Sequence, residues 1–320
     1  MHAAVLHAFN SPPRYTEFDE PVAGEGESLL TVRAAALHRI DRARATGTHY
    51  ASPQQLPAVA GTDGVGTTAD GERVWFALPR APFGSMAEHS VTQNYMLAPL
   101  PPQLGDAEAA ALINPGMAAY LPLTWRAKLV EGETVLVLGA TGVTGRLAVQ
   151  LAKLLGAGRV VAAGRDPQAL ESLRDLGADA LIRLDRPKDE IAAAFAAEAG
   201  KDGYQVVLDY VWGAPTEALL TALTGHEFKA ATSETRLIQI GDGASPVISL
   251  PAEVLRSSAV TLTGSGGFAP PAVQGEAYGK LVGFAAQGTL KVAVEELPLS
   301  QVEEAWVRGD RDGRRLVLIP

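Results

Sequence analysis

The fold of this 320-residue chain is decided by residues 134–145, TVLVLGATGVTG. The first five residues are apolar and mostly β-branched, which predicts a buried strand. A glycine-rich turn at residues 139–145 follows the strand directly and leads into a helical pattern. Four apolar residues recur at every fourth position and predict one buried helix face: Val143, Leu147, Leu151 and Leu155.

Strand-like and helix-like segments alternate beyond this unit. Asp166 is expected to cap a helix that begins with Pro167, and Gly156 and Gly177 are expected helix ends. Alternation at this spacing indicates right-handed crossovers and a parallel sheet covered on both faces, an α/β arrangement. We predict strands at residues 160–163, 180–184, 205–208, 237–240 and 260–263, and helices at residues 190–199, 216–223 and 252–256.

Residues 1 to about 100 differ, because short strand-like segments are separated by glycine and proline turns, including one at residues 61–64. Such punctuation predicts an all-β, barrel-like unit. Asp106 is expected to cap a helix over residues 107–113. We predict strands at residues 3–7, 28–36, 73–77, 86–91, 291–296 and 315–319, a helix at 278–287 and a capping box at 300–303.

The composition limits the classes of function. Hydrophobic residues make up 47% of the chain and charged residues 20%, so a well-packed core is expected. The net charge of −9 argues against a general nucleic-acid or anionic-membrane surface. With no cysteine, disulfides, iron–sulfur clusters and thiolate-bound zinc are excluded. We expect no signal peptide, no transmembrane helix and a cytoplasmic location.

The glycine-rich turn predicts a dinucleotide site. Small residues let the backbone approach a pyrophosphate, and the helix N-terminus offers free N–H groups to the anion. The alternative is a turn that serves only tight strand–helix packing. The residues predicted to bind the cofactor here are Gly139, Ala140, Thr141, Gly142, Val143 and Thr144.

The end of the second strand predicts which dinucleotide binds. NAD sites place an acidic residue there, about 20 residues past the last glycine, for the ribose 2′-hydroxyl. In this chain Gly164 and Arg165 stand at that place. Gly164 removes the carboxylate, and Arg165 offers a bidentate partner to a 2′-phosphate, so we predict NADP(H). The alternative is that Arg165 is an ordinary surface arginine.

A family resemblance is carried by six stretches: residues 35–47 (AALHRIDRARATG), 56–66 (LPAVAGTDGVG), 84–91 (GSMAEHSV), 109–120 (AAALINPGMAAY), 135–157 (VLVLGATGVTGRLAVQLAKLLGA) and 313–320 (GRRLVLIP). In this order they resemble the quinone oxidoreductase branch of the medium-chain dehydrogenase/reductase superfamily. The resemblance implies a GroES-like β-barrel catalytic domain at residues 1–108 and 286–320. It implies a Rossmann NADP-binding domain at residues 109–285, with the active site in the cleft between the domains.

The chain departs from the zinc-binding members of that superfamily. Those members carry a catalytic cysteine and a Gly-His-Glu stretch, whereas this chain has no cysteine and has GTD at residues 61–63. We therefore predict no metal site, with a site of another kind from His38, Asp41 and His89 as the alternative. The branch usually has Asn at the position of His38, and often Ser or Thr at that of Ala118.

The resemblance implies hydride transfer from NADPH to a small electrophile, either a quinone or the β-carbon of an α,β-unsaturated carbonyl. The aligned motifs predict His38, Tyr50 and Asn114 as catalytic residues. Tyr50 and Asn114 would donate hydrogen bonds to a carbonyl oxygen, and His38 would donate or shuttle a proton. Structural roles are the alternatives, namely a buried histidine, a loop tyrosine and a helix cap. We expect Asp41 to start a helix or turn.

Two glycine-bearing strand ends are expected at the nicotinamide end of the cofactor, because glycine permits close backbone contact. A flexible linker at residues 264–267 is the alternative. Arg314 is predicted to neutralise a cofactor phosphate, with a solvated arginine as the alternative. The predicted strand-end contacts are Ile240, Gly241, Gly264, Ser265 and Gly266.

Two other interpretations stay open. A short-chain or epimerase-like Rossmann protein would also suit the turn, but the motif lies in mid-chain and no tyrosine precedes a lysine by four residues. A non-catalytic NADPH-binding protein of the same fold is the second. The resemblance implies a homodimer, and we expect no nucleic-acid or membrane partner.

Overall fold

The computed structural model describes residues 1–224, 234–265, 269–310 and 313–320. The chain divides into two compact units. Unit 1 comprises Met1–Asn114 and Val282–Pro320, and unit 2 comprises Pro115–Leu281. Within the described residues, no helix is long and apolar enough to cross a bilayer.

The strands of the described residues, in chain order, are β1 His2–Leu6, β2 Arg14–Glu17, β3 Glu27–Ala36, β4 Ala58–Val59, β5 Asp63–Thr68, β6 Arg73–Ala77, β7 His89–Gln93, β8 Leu97–Pro99, β9 Thr134–Leu138, β10 Arg159–Gly164, β11 Ala180–Arg183, β12 Val206–Asp209, β13 Thr235–Gln239, β14 Val260–Gly264, β15 Ala293–Pro298 and β16 Arg314–Ile319. The helices are α1 Arg39–Arg44, α2 Asp106–Leu121, α3 Val143–Leu154, α4 Pro167–Glu171, α5 Lys188–Ala199, α6 Ala214–Leu223, α7 Ala252–Ser257, α8 Pro271–Ala286 and α9 Val302–Arg308. Single turns of 3₁₀-helix lie at Asn94–Met96, Arg174–Leu176 and Leu299–Gln301, and a π-helical turn lies at Pro122–Arg126.

Unit 2 contains a six-stranded sheet in which every pairing is parallel, with the order β11-β10-β9-β12-β13-β14. The chain therefore starts at β9 in the middle, runs outward to β11 and then returns to the other side of β9. Leu136, Val137 and Leu138 are fully buried, as expected for a parallel strand covered on both faces. The predicted Rossmann-like sheet is confirmed, and the reversal of order between β9 and β12 creates the crevice where such sheets bind ligands.

Unit 1 is built on two β-sheets. A small antiparallel sheet has the order β2-β1-β4, and a seven-stranded sheet runs β15-β16-β3-β5-β6-β8, with β7 also paired to β3. The last strand, β16, lies between β15 and β3. A hydrophobic core joins both ends of the chain, since Ala4 and Leu6 pack in one cluster with Leu316 and Leu318.

The prediction of a turn at residues 61–64 is wrong for its last two residues, because β5 begins at Asp63. The glycine-rich composition of this strand is typical of a turn, so the sequence did not predict a strand there. A Cβ at Gly64 would lie 2.8 Å from the Ala34 carbonyl oxygen and 3.2 Å from the ring of Phe76, its partner in β6. Glycine therefore makes room for a buried aromatic ring across the strand pair.

Two helix predictions are corrected. The helix expected to end at Ile113 continues through Pro115 to Leu121 as α2, because packing of a helix without exposed residues outweighs the proline. The capping box expected at residues 300–303 is wrong. A 3₁₀ turn leads into α9 there, and the residue that caps α9, Gln301, makes no side-chain cap.

Candidate functional site

The turn after β9 is anchored to the end of the neighbouring strand. The backbone N–H groups of Gly139 and Ala140 both donate to the Ala163 carbonyl, at 3.0 and 2.9 Å. Gly139 adopts a φ of +84°, which favours glycine, and an added Cβ would lie 2.8 Å from Cγ1 of Val211. The tight turn thus requires glycine on both conformational and steric grounds.

Two other glycines of the turn differ in what surrounds them. A Cβ at Gly145 would lie 2.6 Å from Cα of Ala140 and would also overlap the Gly139 carbonyl oxygen. Gly142, which caps α3, is exposed, and its nearest such contact is an ordinary one at 3.6 Å. Gly145 therefore serves helix–turn packing, whereas a pyrophosphate beside the helix N-terminus stays the expected reason for Gly142.

The end of β10 lies beside this turn. Gly164 is buried, and a Cβ there would lie 2.6 Å from Cγ2 of Thr141 and 2.5 Å from Cδ1 of Leu170. Packing therefore requires glycine at position 164, and glycine also leaves that position without a carboxylate. The next residue, Arg165, is exposed, and within the described residues its guanidinium has no hydrogen bond or ion pair. Arg183, at the end of β11, is instead bound to a neighbouring aspartate.

The segment after β12 was not predicted as part of the site. The buried Asp209 carboxylate accepts hydrogen bonds from the N–H groups of Val211 and Trp212, at 2.9 and 2.8 Å, and from the Thr216 hydroxyl at 2.6 Å. Burial raises the pKa of Asp209 despite these donors. Trp212 has a φ of +55°, which is uncommon for a residue other than glycine. A signal was available, since an aspartate directly follows an apolar run there.

The ends of β13 and β14 lie next to this segment. The N–H groups of Ile240 and Gly241 donate to the Asp209 carbonyl, at 2.8 and 3.1 Å, and Ser265 donates to the Gln239 carbonyl at 2.8 Å. A Cβ at Gly241 would lie 2.8 Å from the carbonyl oxygen of Tyr210. Four predicted strand-end contacts thus share one sheet edge with the glycine turn: Ile240, Gly241, Gly264 and Ser265.

Two further residues were predicted to bind the cofactor. Gly266 lies outside the described residues. Arg314 belongs to unit 1, where it is exposed at the start of β16 and pairs with Ala293 of β15.

A buried polar cluster in unit 1 is centred on Asp63, and we call it the Asp63 cluster. Oδ1 of Asp63 accepts hydrogen bonds from Nδ2 of Asn114 at 3.0 Å and from the Thr62 hydroxyl at 3.1 Å, while Oδ2 accepts the Trp75 indole N–H at 3.1 Å. Nε2 of His38 lies 3.2 Å from Oδ1 as an ion-pair contact that is not aligned for a hydrogen bond. The members are His38, Asp41, Thr62, Asp63, Trp75 and Asn114.

The two carboxyl groups of the Asp63 cluster differ in acidity. Burial raises the pKa of Asp41, which accepts a hydrogen bond from the His38 backbone N–H at 2.7 Å and lies 3.0 Å from the Thr62 hydroxyl. Burial also opposes ionisation of Asp63, but the charge of His38 and the surrounding donors hold its pKa below the usual range. Asp41 lies in the first turn of α1, as predicted.

Comparison with known proteins supplies the family. Residues 143–227 match the family model described as zinc-binding dehydrogenase. A probable NADPH-dependent quinone reductase of Emericella nidulans is 29% identical, with both chains covered in full. The quinone oxidoreductase of Thermus thermophilus, solved alone and with NADPH, is 29% identical over the whole of both chains, with a TM-score of 0.79. An NADPH-dependent alkenal/one oxidoreductase of Arabidopsis thaliana is 31% identical over 60% of this chain and 51% of its own.

The chain belongs to the medium-chain dehydrogenase/reductase superfamily. Within it, the chain is quinone oxidoreductase-like, as the sequence motifs predict.

Of the three residues predicted to be catalytic in this medium-chain reductase, two meet in the Asp63 cluster. His38 is only 3% exposed, and Asn114 is half-buried. Asn114 lies inside α2, so its alternative role as a cap of the following helix is wrong. Tyr50 is 93% exposed and packs against His49 with ring centroids 4.1 Å apart; within the described residues, no contact links it to the cluster.

The alternative metal site of His38, Asp41 and His89 is not assembled. His89 pairs with Glu20 at 2.9 Å, whereas His38 faces Asp63. Across the described ranges, no three acidic or histidine side chains are grouped to hold a metal ion. Sequence reasoning missed Thr62, Asp63 and Trp75 as members of this cluster, although the GTD stretch had been singled out where zinc-binding relatives carry Gly-His-Glu.

Proposed function

We propose that this protein is a zinc-independent oxidoreductase that uses NADPH to reduce a quinone or an α,β-unsaturated carbonyl compound. The observation that carries the proposal is the Arg165 guanidinium at the end of β10, which is unpaired within the described residues and follows a glycine turn whose Gly142 is exposed. A cation without an opposing acid at this place suits a ribose 2′-phosphate. The NADPH-dependent quinone and alkenal reductases among its relatives support the same cofactor and substrate class.

The residues present fit the proposed cofactor. Gly142 and the N-terminus of α3 would hold the pyrophosphate, and Arg165 the 2′-phosphate. The strand ends at Gly241 and Ser265 would position the nicotinamide by backbone contacts. When bound, NADPH supplies the hydride, while the protein positions the reactants.

Unit 1 would act as the GroES-like substrate domain. Its partly exposed Asn114 keeps a second amide N–H beyond the one bound to Asp63, and that hydrogen can face a carbonyl oxygen. His38 is too deeply buried to meet a substrate directly, so it would act through its neighbours. Tyr50 and Arg314 stay candidates for contact with the substrate and with a cofactor phosphate.

We infer zinc independence from the donors that the chain offers. The family-type site needs thiolates, and the chain has no cysteine. The histidine of the Asp63 cluster is already paired with a carboxylate. The carbonyl would therefore be polarised by hydrogen bonds alone. The proposal also includes a cytoplasmic homodimer, which light scattering and cell fractionation would check.

Consumption of NADPH with a panel of ortho- and para-quinones, 2-alkenals and enones tests the proposal. We expect turnover with at least one class, faster with NADPH than with NADH, and unchanged after dialysis against a zinc chelator. Tight binding of NADPH without turnover across the panel would favour a non-catalytic NADPH-binding protein.

A further inference from the structure

One hydroxyl in the Asp63 cluster lies between two buried carboxyl groups. Oγ1 of Thr62 is 3.0 Å from Oδ1 of Asp41 and 3.1 Å from Oδ1 of Asp63, and these three residues are 5%, 3% and 1% exposed. A hydroxyl has a single hydrogen and can donate to only one of the two oxygens. Both contacts are hydrogen bonds only when one carboxyl group is neutral and donates its own proton to Thr62.

The other contacts identify which carboxyl group holds that proton. Asp63 faces donors on both oxygens, since Asn114 and Trp75 donate to it and His38 lies 3.2 Å away. This environment stabilises the anion. Oδ1 of Asp41 has only the Thr62 hydroxyl as a partner within the described residues, and its Oδ2 accepts one backbone N–H. The proton therefore belongs on Oδ1 of Asp41, the group whose pKa burial raises.

The charged groups near Asp41 leave it without a direct cationic partner. Arg315 pairs with Asp310 at 2.9 Å and donates to a backbone carbonyl, and Arg42 donates to the carbonyls of two residues at the end of α9. Within the described ranges, neither guanidinium contacts the Asp41 carboxyl group. An ionised Asp41 would thus lack compensation for its burial. The titratable and charged groups around it are His38, Arg39, Arg42, Asp63, Asp310 and Arg315.

We propose that Asp41 is a neutral acid and that Asp41, Thr62 and Asp63 form a proton-holding chain with one negative charge, on Asp63. Oδ1 of Asp41 donates its proton to the Thr62 hydroxyl, and Thr62 donates its own hydrogen to Asp63. The charge thus stays on the carboxylate that accepts the amide of Asn114. Asp41 is a positioning residue for that amide, a role that rests on the proposed function.

Infrared spectroscopy of the whole protein, with and without isotope-labelled aspartate, tests the neutral acid without any turnover. We expect the carboxylic-acid carbonyl band at neutral pH, and its loss in Asp41→Asn. Asp209 is a second buried carboxyl group with a raised pKa, so Asp209→Asn is the matched control and must keep the band. Absence of a band that depends on Asp41 would overturn the proposal.

Stability gives an independent measurement. An amide at position 41 can accept from His38 and donate to Thr62, as the neutral acid does, so Asp41→Asn should fold with an unchanged or higher urea midpoint at pH 7. Asp63→Asn places N–H groups against other donors and should lower the midpoint. Equal loss in both variants would contradict a neutral Asp41.

The same group sets a pH dependence of stability. Because the folded-state pKa of Asp41 is raised above its ordinary value of 3.8, its favourable contribution is full below that value. The contribution is lost as the pH rises through the folded-state pKa. Asp41→Asn should remove this decline, and a variant with the wild-type pH dependence would count against the assignment.

The link through Thr62 is tested by Thr62→Val, which removes the hydroxyl at nearly constant volume. We expect the carboxylic-acid band to move to a higher wavenumber, because the Asp41 proton then loses its acceptor. The control is Thr92→Val, another buried threonine of unit 1, whose hydroxyl donates only to carbonyls. A band at the same position in both variants would overturn the chain. The infrared band without turnover on any substrate would instead reject the proposed function and leave the proton-holding chain in place.

Discussion

At the scale of single residues, we expect the guanidinium of Arg165 to select the coenzyme. It is exposed and unpaired within the described part of the chain, and it follows directly on the buried Gly164. Two neighbouring features make its place specific: Gly164 packs against Thr141 of the glycine turn, and β10 contains no acidic residue before the arginine. A guanidinium so placed favours a phosphate over a hydroxyl group.

Replacing Arg165 by glutamine should weaken NADPH binding about 10- to 100-fold, the scale of one charge-assisted interaction. NADH binding should not change, because NADH has no 2′-phosphate. Fluorescence titration of both nucleotides measures the two affinities.

Arg183→Gln is the matched control for this prediction. Arg183 is also an exposed arginine at a strand end of the same sheet, but it is engaged with Asp185 at 2.9 Å. We expect its variant to bind both nucleotides as the wild type does. Equal losses for NADPH and NADH in Arg165→Gln would mean that the arginine serves the fold rather than the phosphate.

The strand–turn–helix element of β9 and α3 contains two glycines that differ in their surroundings. Gly145 touches the turn so closely that no side chain fits, while an added Cβ at Gly142, at the N-terminus of α3, would make only an ordinary contact. We therefore expect Gly145 to serve packing and Gly142 to serve the ligand.

Gly142→Ala should consequently weaken NADPH binding, whereas Gly145→Ala should lower the stability of the fold. A methyl group at Gly142 meets no protein atom closer than 3.6 Å, so stability should stay within about 0.5 kcal/mol while NADPH affinity falls. A methyl group at Gly145 overlaps the backbone of Ala140 and should destabilise the fold by about 1–3 kcal/mol.

Thermal unfolding with and without NADPH separates the two outcomes. The Gly142 variant should unfold at the wild-type temperature and gain little from NADPH, which stabilises only a protein that binds it. If Gly142→Ala bound NADPH as tightly as the wild type, the turn would not be the pyrophosphate site.

At the scale of the whole molecule, the last strand of the chain completes the large sheet of unit 1. β16 lies between β15 and β3, and its Leu316 and Leu318 are fully buried in one cluster with Ala4 and Leu6 from the first strand. The stability of this unit therefore depends on residues at both ends of the sequence.

Leu318→Ala should lower the free energy of unfolding by about 2–5 kcal/mol, because it leaves a cavity in that shared core. Val307→Ala is the control, since Val307 is 76% exposed on α9 and its loss should cost little. Urea denaturation measures both variants. Similar losses of unfolding free energy in the two variants would show that Leu318 does not contribute to the core.

Short-range patterns could be read from the sequence alone. The strands Thr134–Leu138 and Arg73–Ala77 have the predicted bounds, and Asp166 caps α4 by accepting the Ala169 N–H at 2.8 Å. Gly177 has the left-handed conformation expected at a helix end. These features depend on a few neighbouring residues, and so did the glycine turn, Arg165 and the family resemblance.

Tertiary structure alone decided the Asp63 cluster. Asp63 meets Asn114 across 51 residues of chain and lies in a strand that its glycine-rich surroundings concealed. Thr62 bridges to Asp41 across 21 residues. The sequence by itself therefore determined the parallel sheet, the nucleotide turn and the cation at its edge, because these follow from local periodicity and backbone freedom. Which polar side chains are buried together depends on distant segments meeting in the folded chain, and no local pattern contains that information.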